Sequence, residues 1–294
     1  MLTNDHTIKI KGGKVGVLLV HGLAGTPAEV RYVAGGLARL GYTVHCPQLA
    51  GHGGTEADLT ASTWEDWYAT CERALDELRK ECDTVLVGGL STGAVLGLML
   101  AARRPADVAG TLLYSPTLWL SGWSIPWYSR LFSLVRTKRF ASKFSFSDRA
   151  PHGIKDERIR DFIMKAMCNG DSANAGLLNT PGAAVFEHRR LVGALKPLLG
   201  RITQPTLILH PREDDMAGID NAQFLQRKLA ARIEMTVLED SYHMITIDRQ
   251  RQTVVDRSAQ FIAVLTAEKA AVVAKAELQR KARTSALATL AVAA

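Results

Sequence analysis

The chain has 294 residues, of which 47% are hydrophobic and 22% charged, an ordinary composition for a water-soluble globular protein. No uninterrupted apolar run approaches the roughly 20 residues that a membrane span needs, and the first residues lack an apolar signal segment. We therefore expect a cytoplasmic protein without stable membrane insertion. Part of the net charge of +7 lies on the alanine-rich residues 267–294, and we expect no nucleic-acid partner.

Short β-rich apolar runs alternate with longer stretches of helical periodicity, the pattern of a parallel sheet covered on both faces. The predicted strands are Val15 to Val20, Tyr42 to Cys46, Thr84 to Gly88, Gly110 to Tyr114, Thr206 to His210 and Glu234 to Leu238. The predicted helices are Ala28 to Leu40, Trp64 to Glu81, Ser91 to Arg103, Asp220 to Ala231 and Asp248 to Thr266. Each helix is long enough for a right-handed crossover, so the sequence predicts an α/β fold with a doubly wound, mostly parallel sheet.

The alternation is interrupted once, between Ser115 and Gln204, where no convincing buried strand occurs. We predict an inserted helical cap over residues 116–203, a core made of residues 1–115 and 204–266, and a basic tail over 267–294. The insertion is rich in large aromatic side chains: Trp119, Trp123, Trp127, Phe132, Phe140, Phe144, Phe146 and Phe162. These rings either bury the cap against the core or line a pocket for an apolar acyl group, and the sequence leaves both interpretations open.

A Gly-x-Ser-x-Gly motif at residues 89–93 follows one predicted strand and precedes a predicted helix. In that position a tight turn projects the hydroxyl of Ser91 above the sheet, and the flanking glycines let the strained backbone pass. The helix that follows directs its amide end toward a developing negative charge. Ser91 is therefore the predicted nucleophile, and a helix-capping serine is the alternative.

A serine hydroxyl is a poor nucleophile at neutral pH, so it needs a general base and a group that holds this base in the right tautomer. An acid and then a histidine should follow the serine along the chain. His243 follows the last predicted strand and is the predicted base. Asp214 and Asp215 follow the strand before it, and the residues alone do not decide between these two carboxylates. All these groups follow the carboxyl ends of parallel strands, where open α/β sheets assemble their sites.

A glycine-lined loop, His21 to Gly25, follows the first predicted strand and can present a backbone amide to an oxyanion. We predict Leu23 N–H as one donor and Thr92 N–H, directly after the nucleophile, as the other. The alternative is a plain connection to a helix that begins at Pro27. This set of groups requires no metal and no organic cofactor.

Together these motifs resemble the α/β-hydrolase superfamily, and more narrowly bacterial carboxylesterases and monoacylglycerol lipases with a small cap. The resemblance extends from Val15 to Thr266. It depends on six segments: HGLAGTP at 21–27, PQLAGHG at 47–53, TWEDWY at 63–68, GLSTGA at 89–94, PREDDM at 211–216 and SYHMITID at 241–248. In that family the acid takes the fourth place of the segment that matches PRED, which implies Asp214, and the histidine falls on His243. The family uses the segment that contains His52 structurally.

The resemblance implies a serine hydrolase that cleaves carboxylic esters through an acyl-enzyme on Ser91. The implied partner is a small-molecule ester, with an apolar acyl group suggested by the aromatic cap. The same three residues also serve C–C bond hydrolases, thioesterases, lactonases and acyltransferases, and these activities stay open as alternatives. A non-catalytic binding protein on the same scaffold is the alternative from another class. Acyl chain length and oligomeric state are not predicted.

Overall fold

The core is a seven-stranded sheet, which the computed structural model presents within its described residues, 5–147, 150–168, 176–177 and 179–292. The strands are β1 (Ile8–Ile10), β2 (Val15–Val20), β3 (Thr43–Cys46), β4 (Thr84–Leu90), β5 (Gly110–Tyr114), β6 (Ser145–Ser147), β7 (Asn179–Pro181), β8 (Thr206–Pro211) and β9 (Ile233–Leu238). The α-helices are α1 (Arg31–Arg39), α2 (Glu56–Ala61), α3 (Trp64–Glu81), α4 (Thr92–Arg103), α5 (Lys138–Ala141), α6 (Glu157–Cys168), α7 (Gly182–Leu195), α8 (Asp220–Lys228) and α9 (Arg251–Val292). Short 3-10 segments occupy Pro27–Val30, Trp127–Leu134 and Lys196–Arg201.

The strand order in the sheet is β1-β3-β2-β4-β5-β8-β9. β1 runs antiparallel to β3, and every other neighbouring pair in this sheet is parallel. Strands β3, β4, β5 and β8 are buried along their whole length, because helices cover both faces of the sheet. The predicted doubly wound, mostly parallel sheet is therefore confirmed. The edge strand β1 was not predicted, because three residues are too few to display a period.

Two apolar clusters lie on the two faces of the sheet. One includes buried residues of α3, α4 and α7, with Trp67 of α3 fully buried. The other includes α1 and the first part of α9, where Phe261 is buried. The start of α3 is fixed by a capping box, in which Thr63 and Asp66 exchange hydrogen bonds between side chain and backbone. This box explains why the predicted and observed starts of α3 agree.

Three predicted helices differ from the observed ones by more than one residue or in helix type. The helix predicted from Asp220 to Ala231 ends at Lys228. The predicted helix Ala28 to Leu40 is divided into the 3-10 segment Pro27–Val30 and α1. The predicted helix that ends at Thr266 continues as α9 to Val292, so the backbone of the predicted tail is helical up to that residue. Residues 293–294 of the tail, and 148–149, 169–175 and 178 of the predicted cap, lie outside the described residues. No helix in the described part of the chain combines the length and apolarity needed to cross a membrane.

Residues 116–203 contribute helices and a small two-stranded pair, β6-β7, but no strand of the main sheet within their described part. They contact the loops that follow β8 and β9. Gly122 N–H donates to the carbonyl of Met216 at 3.0 Å, and Met244 N–H donates to the carbonyl of Gly153 at 2.8 Å. The insertion therefore packs against the edge of the sheet where the predicted catalytic groups lie.

Candidate active site

Ser91 occupies the sharp turn between β4 and α4. Its backbone has φ 56° and ψ −112°, a conformation that side chains other than glycine rarely adopt. A Cβ atom on Gly93 would overlap the carbonyl of Val20 in the neighbouring strand β2, and a Cβ atom on Gly89 would overlap the same carbonyl. The motif glycines are thus required by the close approach of two backbones, and they hold Ser91 where the sequence predicted it.

His243 and Asp214 are joined by a hydrogen bond. His243 Nδ1 lies 2.9 Å from Asp214 Oδ2 and 3.0 Å from Oδ1, and both side chains are buried. The carboxylate is also held by the main chain, because Oδ1 accepts the backbone N–H groups of Met216 (2.9 Å) and Ala217 (2.7 Å). A carboxylate held in this way fixes the tautomer of the ring that leaves Nε2 as the proton acceptor.

Asp215 has a different function from its neighbour. Its Oδ1 accepts the backbone N–H of His243 at 3.2 Å, and its Oδ2 accepts the backbone N–H of Gly153 at 2.9 Å. Asp214 thus contacts the ring of His243, whereas Asp215 holds the main chain and ties it to the insertion. These contacts distinguish the two carboxylates, between which the residues alone did not decide.

Burial and charge act in opposite directions on the pKa values of His243 and Asp214. Burial lowers the pKa of His243, but the Asp214 carboxylate and its hydrogen bond outweigh this effect and raise that pKa above its usual 6.5. Burial raises the pKa of Asp214, but His243, the nearby ring of His210 and the Ala217 N–H outweigh it and lower the pKa overall. For Asp215 burial is the larger effect, and it raises the pKa although His243 and the Gly153 N–H act in the opposite direction.

The hydroxyl of Ser91 does not point to His243 in the described state. Ser91 Oγ donates to Thr117 Oγ1 at 3.0 Å, and Thr117 Oγ1 donates in turn to the carbonyl of Ser115 at 3.1 Å. Ser91 and His243, the predicted nucleophile and base, line the same cavity, but no hydrogen bond joins them within the described residues. Sequence reasoning missed Thr117, because it follows β5 and belongs to none of the six segments.

The predicted oxyanion donors, Leu23 and Thr92, both line this cavity. Within the described residues, neither backbone N–H has a hydrogen-bond acceptor. The N–H of Gly22 is already used, because it donates to Glu29 Oε2 at 2.7 Å. Ala24 adopts a left-handed φ of 59°, which turns the loop sharply after Leu23. The loop therefore has an available donor at the predicted residue.

Two further titratable side chains border the cavity and were not predicted as functional. Burial raises the pKa of Glu29 to about 7, although its bond to the Gly22 N–H favours the charged form. His188 Nδ1 lies 3.1 Å from the hydroxyl of Thr92, and burial lowers its pKa to about 4. Glu29 thus holds the loop that contains the predicted donor Leu23, and His188 contacts the residue after the predicted nucleophile. Neither residue lies in one of the six segments. Glu29 follows the first segment, which ends at Pro27, by two residues.

The cavity that contains these groups has a volume of about 1770 Å³, compared with about 300–1,000 Å³ for typical small-molecule sites. Most of its wall is apolar. The insertion contributes Trp119, Leu120, Ile125, Phe132, Phe146 and Phe162 to it. Of the predicted aromatic set, Trp123, Trp127, Phe140 and Phe144 are instead exposed and do not line it. Neither burial against the core nor the lining of an acyl pocket thus accounts for the whole aromatic set, because these four side chains face solvent.

Comparison with known proteins identifies the relatives of this chain. The model of the alpha/beta hydrolase family matches residues 17–257. A thermostable monoacylglycerol lipase from Bacillus sp. (strain H-257) is 32% identical over 264 residues, which cover 90% of this chain and 96% of that protein. A carboxylesterase from Bacillus subtilis (strain 168) is 26% identical over 246 residues, 83% of this chain and 90% of that protein.

Solved structures agree with these relatives. A metagenome-derived lipolytic enzyme, from a study of LipS and LipT, superimposes with a TM-score of 0.75 at 29% identity, covering 87% of this chain and 96% of that chain. A soluble variant of monoglyceride lipase from Saccharomyces cerevisiae shares the fold, with a TM-score of 0.73 at 15% identity over 88% of this chain and 91% of that chain. The matched family model extends from Val17 in β2 past β9 and includes the Ser91 turn and the His243 loop, and this protein belongs to the α/β hydrolase family.

Proposed function

We propose that this protein hydrolyses esters of a single apolar acyl chain, with monoacylglycerols among its substrates, through an acyl-enzyme on Ser91. The reaction class is carboxylic ester hydrolysis, and small-molecule esters are its substrates. Relatives named as a monoacylglycerol lipase and a carboxylesterase cover nearly the whole chain. The observation that carries the catalytic assignment is the buried bond between His243 and Asp214, with His243 and Ser91 lining one cavity.

In the acylation step, Ser91 Oγ turns from Thr117 to His243 Nε2 and attacks the ester carbonyl. The imidazole takes the hydroxyl proton as the C–O bond to serine forms, and the charge that develops on His243 is stabilised by Asp214. The carbonyl oxygen becomes an oxyanion, for which the N–H groups of Leu23 and Thr92 are the proposed donors. Collapse of this intermediate breaks the bond to the alcohol, which leaves with the proton from His243.

In the deacylation step, His243 acts as the base for water. Water loses a proton to Nε2 and attacks the acyl carbonyl, and the same two amides receive the oxyanion. The second intermediate then releases the carboxylic acid, while the proton returns to Ser91 Oγ. Each donor of this kind contributes on the order of 3 kcal/mol to the transition state.

The apolar wall of the cavity supports an apolar acyl group. Trp119, Phe132 and Phe162, all from residues 116–203, are part of this wall. We propose on this basis that residues 116–203 act as the cap and residues 1–115 with 204–266 as the catalytic core. Each buried methylene of a substrate contributes about 0.8 kcal/mol, so kcat/KM should increase with chain length until the cavity is filled.

The nucleophile is tested with Ser91→Ala. Ester turnover should fall by about 10⁶-fold, with an unchanged circular dichroism spectrum, and labelling by a fluorophosphonate should disappear. Ser129→Ala is the matched control, because Ser129 lines the same cavity and has no part in the proposed chemistry. Substantial turnover by pure Ser91→Ala would refute the assignment.

The substrate class is tested with a series of p-nitrophenyl esters of increasing chain length and with monoacylglycerols. We expect kcat/KM to rise from acetate to medium-chain esters and release of fatty acid from monoacylglycerol. Thioesters, lactones and C–C bonded diketones serve as rival substrates. A higher kcat/KM for any of these would contradict the ester proposal while leaving Ser91 as the nucleophile.

A further inference from the structure

A surface with both apolar and basic side chains occurs on residues 127–144, along the 3-10 segment Trp127–Leu134 and around α5. Its large apolar side chains face solvent, with exposed fractions from 40% to 77%: Trp127, Leu131, Leu134, Phe140 and Phe144. Its exposed cations are Arg136, Arg139 and Lys143. We call these eight residues the basic apolar face. An isolated exposed leucine needs no explanation, but a concentration of large apolar side chains on one short segment indicates an interaction site.

Hydrogen bonds from α7 and contacts between phenylalanine rings support the basic apolar face. Arg189 of α7 donates to the carbonyls of Phe132 (2.7 Å) and Ser133 (2.9 Å). The ring of Phe132 meets those of Phe144 and Phe146 edge to face, with centroids 5.6 Å and 5.0 Å apart. The exposed side chains therefore project from a packed support rather than from an unattached loop.

The charge of this region has one sign. The sequence contains five Lys and Arg residues and no Asp or Glu between Trp127 and Ser147. Within the described residues, Arg136, Arg139 and Lys143 have no carboxylate at salt-bridge distance. Lys138 differs, because its Nζ donates to the carbonyl of Ser62 at 2.6 Å and lies 3.8 Å from Glu187. Among the described residues, these three exposed cations therefore have no anionic partner and lie between exposed apolar side chains.

The same segment also borders the catalytic cavity. Ser129, Phe132 and Ser133 line it, and so does Phe162, which is 75% exposed. An apolar molecule that leaves a lipid layer at this face can enter the cavity along an apolar wall. This continuity favours a lipid surface over an acidic protein as the partner, a choice that rests on the proposed apolar ester substrate.

We propose that the basic apolar face docks this protein on the surface of an anionic lipid bilayer. Aromatic and leucine side chains enter the headgroup region, and Arg136, Arg139 and Lys143 contact the anionic headgroups. The attachment is peripheral. The basic tail, residues 267–294, does not serve this purpose, because its composition lacks the aromatic and leucine-rich face that such contacts need.

Docking is tested by co-sedimentation of the full chain with vesicles of phosphatidylcholine, with or without 30 mol% phosphatidylglycerol. We expect binding to the anionic vesicles only, with weakening as salt rises because screening shortens the reach of the charges. The triple variant Arg136→Ser, Arg139→Ser, Lys143→Ser should lose roughly fivefold in partition coefficient per cation, about 10²-fold in all. Trp127→Ser with Leu134→Ser should release the protein at lower salt than the wild type.

The matched control removes three exposed cations from the core: Lys11→Ser, Lys80→Ser and Arg201→Ser. It carries the same net charge as the triple variant and should bind like the wild type to within about twofold. All variants should hydrolyse a water-soluble short-chain ester equally, which separates a failure of docking from a failure of the proposed function. Equal binding to both vesicle types, no binding, or equal loss in the control would overturn the proposal. Self-association of the wild type without vesicle binding would do so too, because the face would then pair two copies.

Discussion

The hydrogen bond from Ser91 to Thr117 should restrain the nucleophile, because Ser91 Oγ must leave Thr117 before it can donate to His243. The two hydroxyl oxygens lie 3.0 Å apart, a normal distance for a neutral hydrogen bond. Such a bond contributes about 1 kcal/mol net, within a range of about 0.5–1.5 kcal/mol. If this bond is broken before acylation, Thr117→Val should raise the acylation rate constant about fivefold, within a range of about two- to thirteenfold.

The assay is the second-order rate constant for labelling of Ser91 by a fluorophosphonate, measured beside kcat/KM for p-nitrophenyl butyrate. Thr117→Ser keeps the hydroxyl and should match the wild type. Thr117→Val also removes a donor from the carbonyl of Ser115, so the free energy of unfolding should fall by about 1 kcal/mol. The reasoning is refuted if Thr117→Val slows labelling tenfold or more while Thr117→Ser does not. In that case the hydroxyl would assist the reaction rather than restrain the serine.

Two further predictions concern the base and the oxyanion loop. Burial lowers the pKa of His243, but Asp214 outweighs it and holds that pKa above 6.5, so kcat/KM should reach half its plateau above pH 6.5. Asp214→Asn should move this midpoint to lower pH and reduce the plateau by about 10⁴-fold, and a wild-type midpoint below 6.5 would contradict the coupling. A Cβ on Gly25 would overlap the carboxyl of Glu29, so Gly25→Ala should displace this carboxyl from the Gly22 N–H and reduce kcat by roughly 10²-fold. Adding Glu29→Ala should recover part of that loss, and strictly additive effects in the double-mutant cycle would count against the overlap.

Much of the fold could be predicted because its strands are buried on both faces. Val15–Val20 and Gly110–Tyr114 have the predicted bounds, because a short apolar run leaves little choice of where a buried strand begins and ends. The Ser91 turn could also be predicted from the sequence, because the close approach of the Val20 carbonyl leaves room only for glycine at positions 89 and 93. Strand β1, with three residues, has no such signal.

Other parts of the site depend on contacts between segments that are distant along the chain. Thr117 contacts Ser91 across 26 residues of the chain, and Gly153 contacts Asp215 across 62. No periodicity or spacing encodes these distances. The position of each aromatic side chain also depends on such distant contacts. Phe132 and Phe140 are the same residue type, but Phe132 lines the cavity and Phe140 faces solvent.

The consecutive residues Asp214 and Asp215 illustrate why chain order alone cannot complete the assignment. Both carboxylates are buried and both serve His243, one through its ring and the other through its backbone N–H. Only the ring contact adds an opposite charge by direct hydrogen bonding, so the pKa of Asp214 is lowered while burial raises that of Asp215. As pH falls, Asp215 should therefore take a proton before Asp214, and the tie between the His243 loop and Gly153 should weaken before the bond between the Asp214 carboxylate and the ring. The two carboxylates therefore take up protons in an order that follows from the ring contact that Asp214 makes and Asp215 lacks.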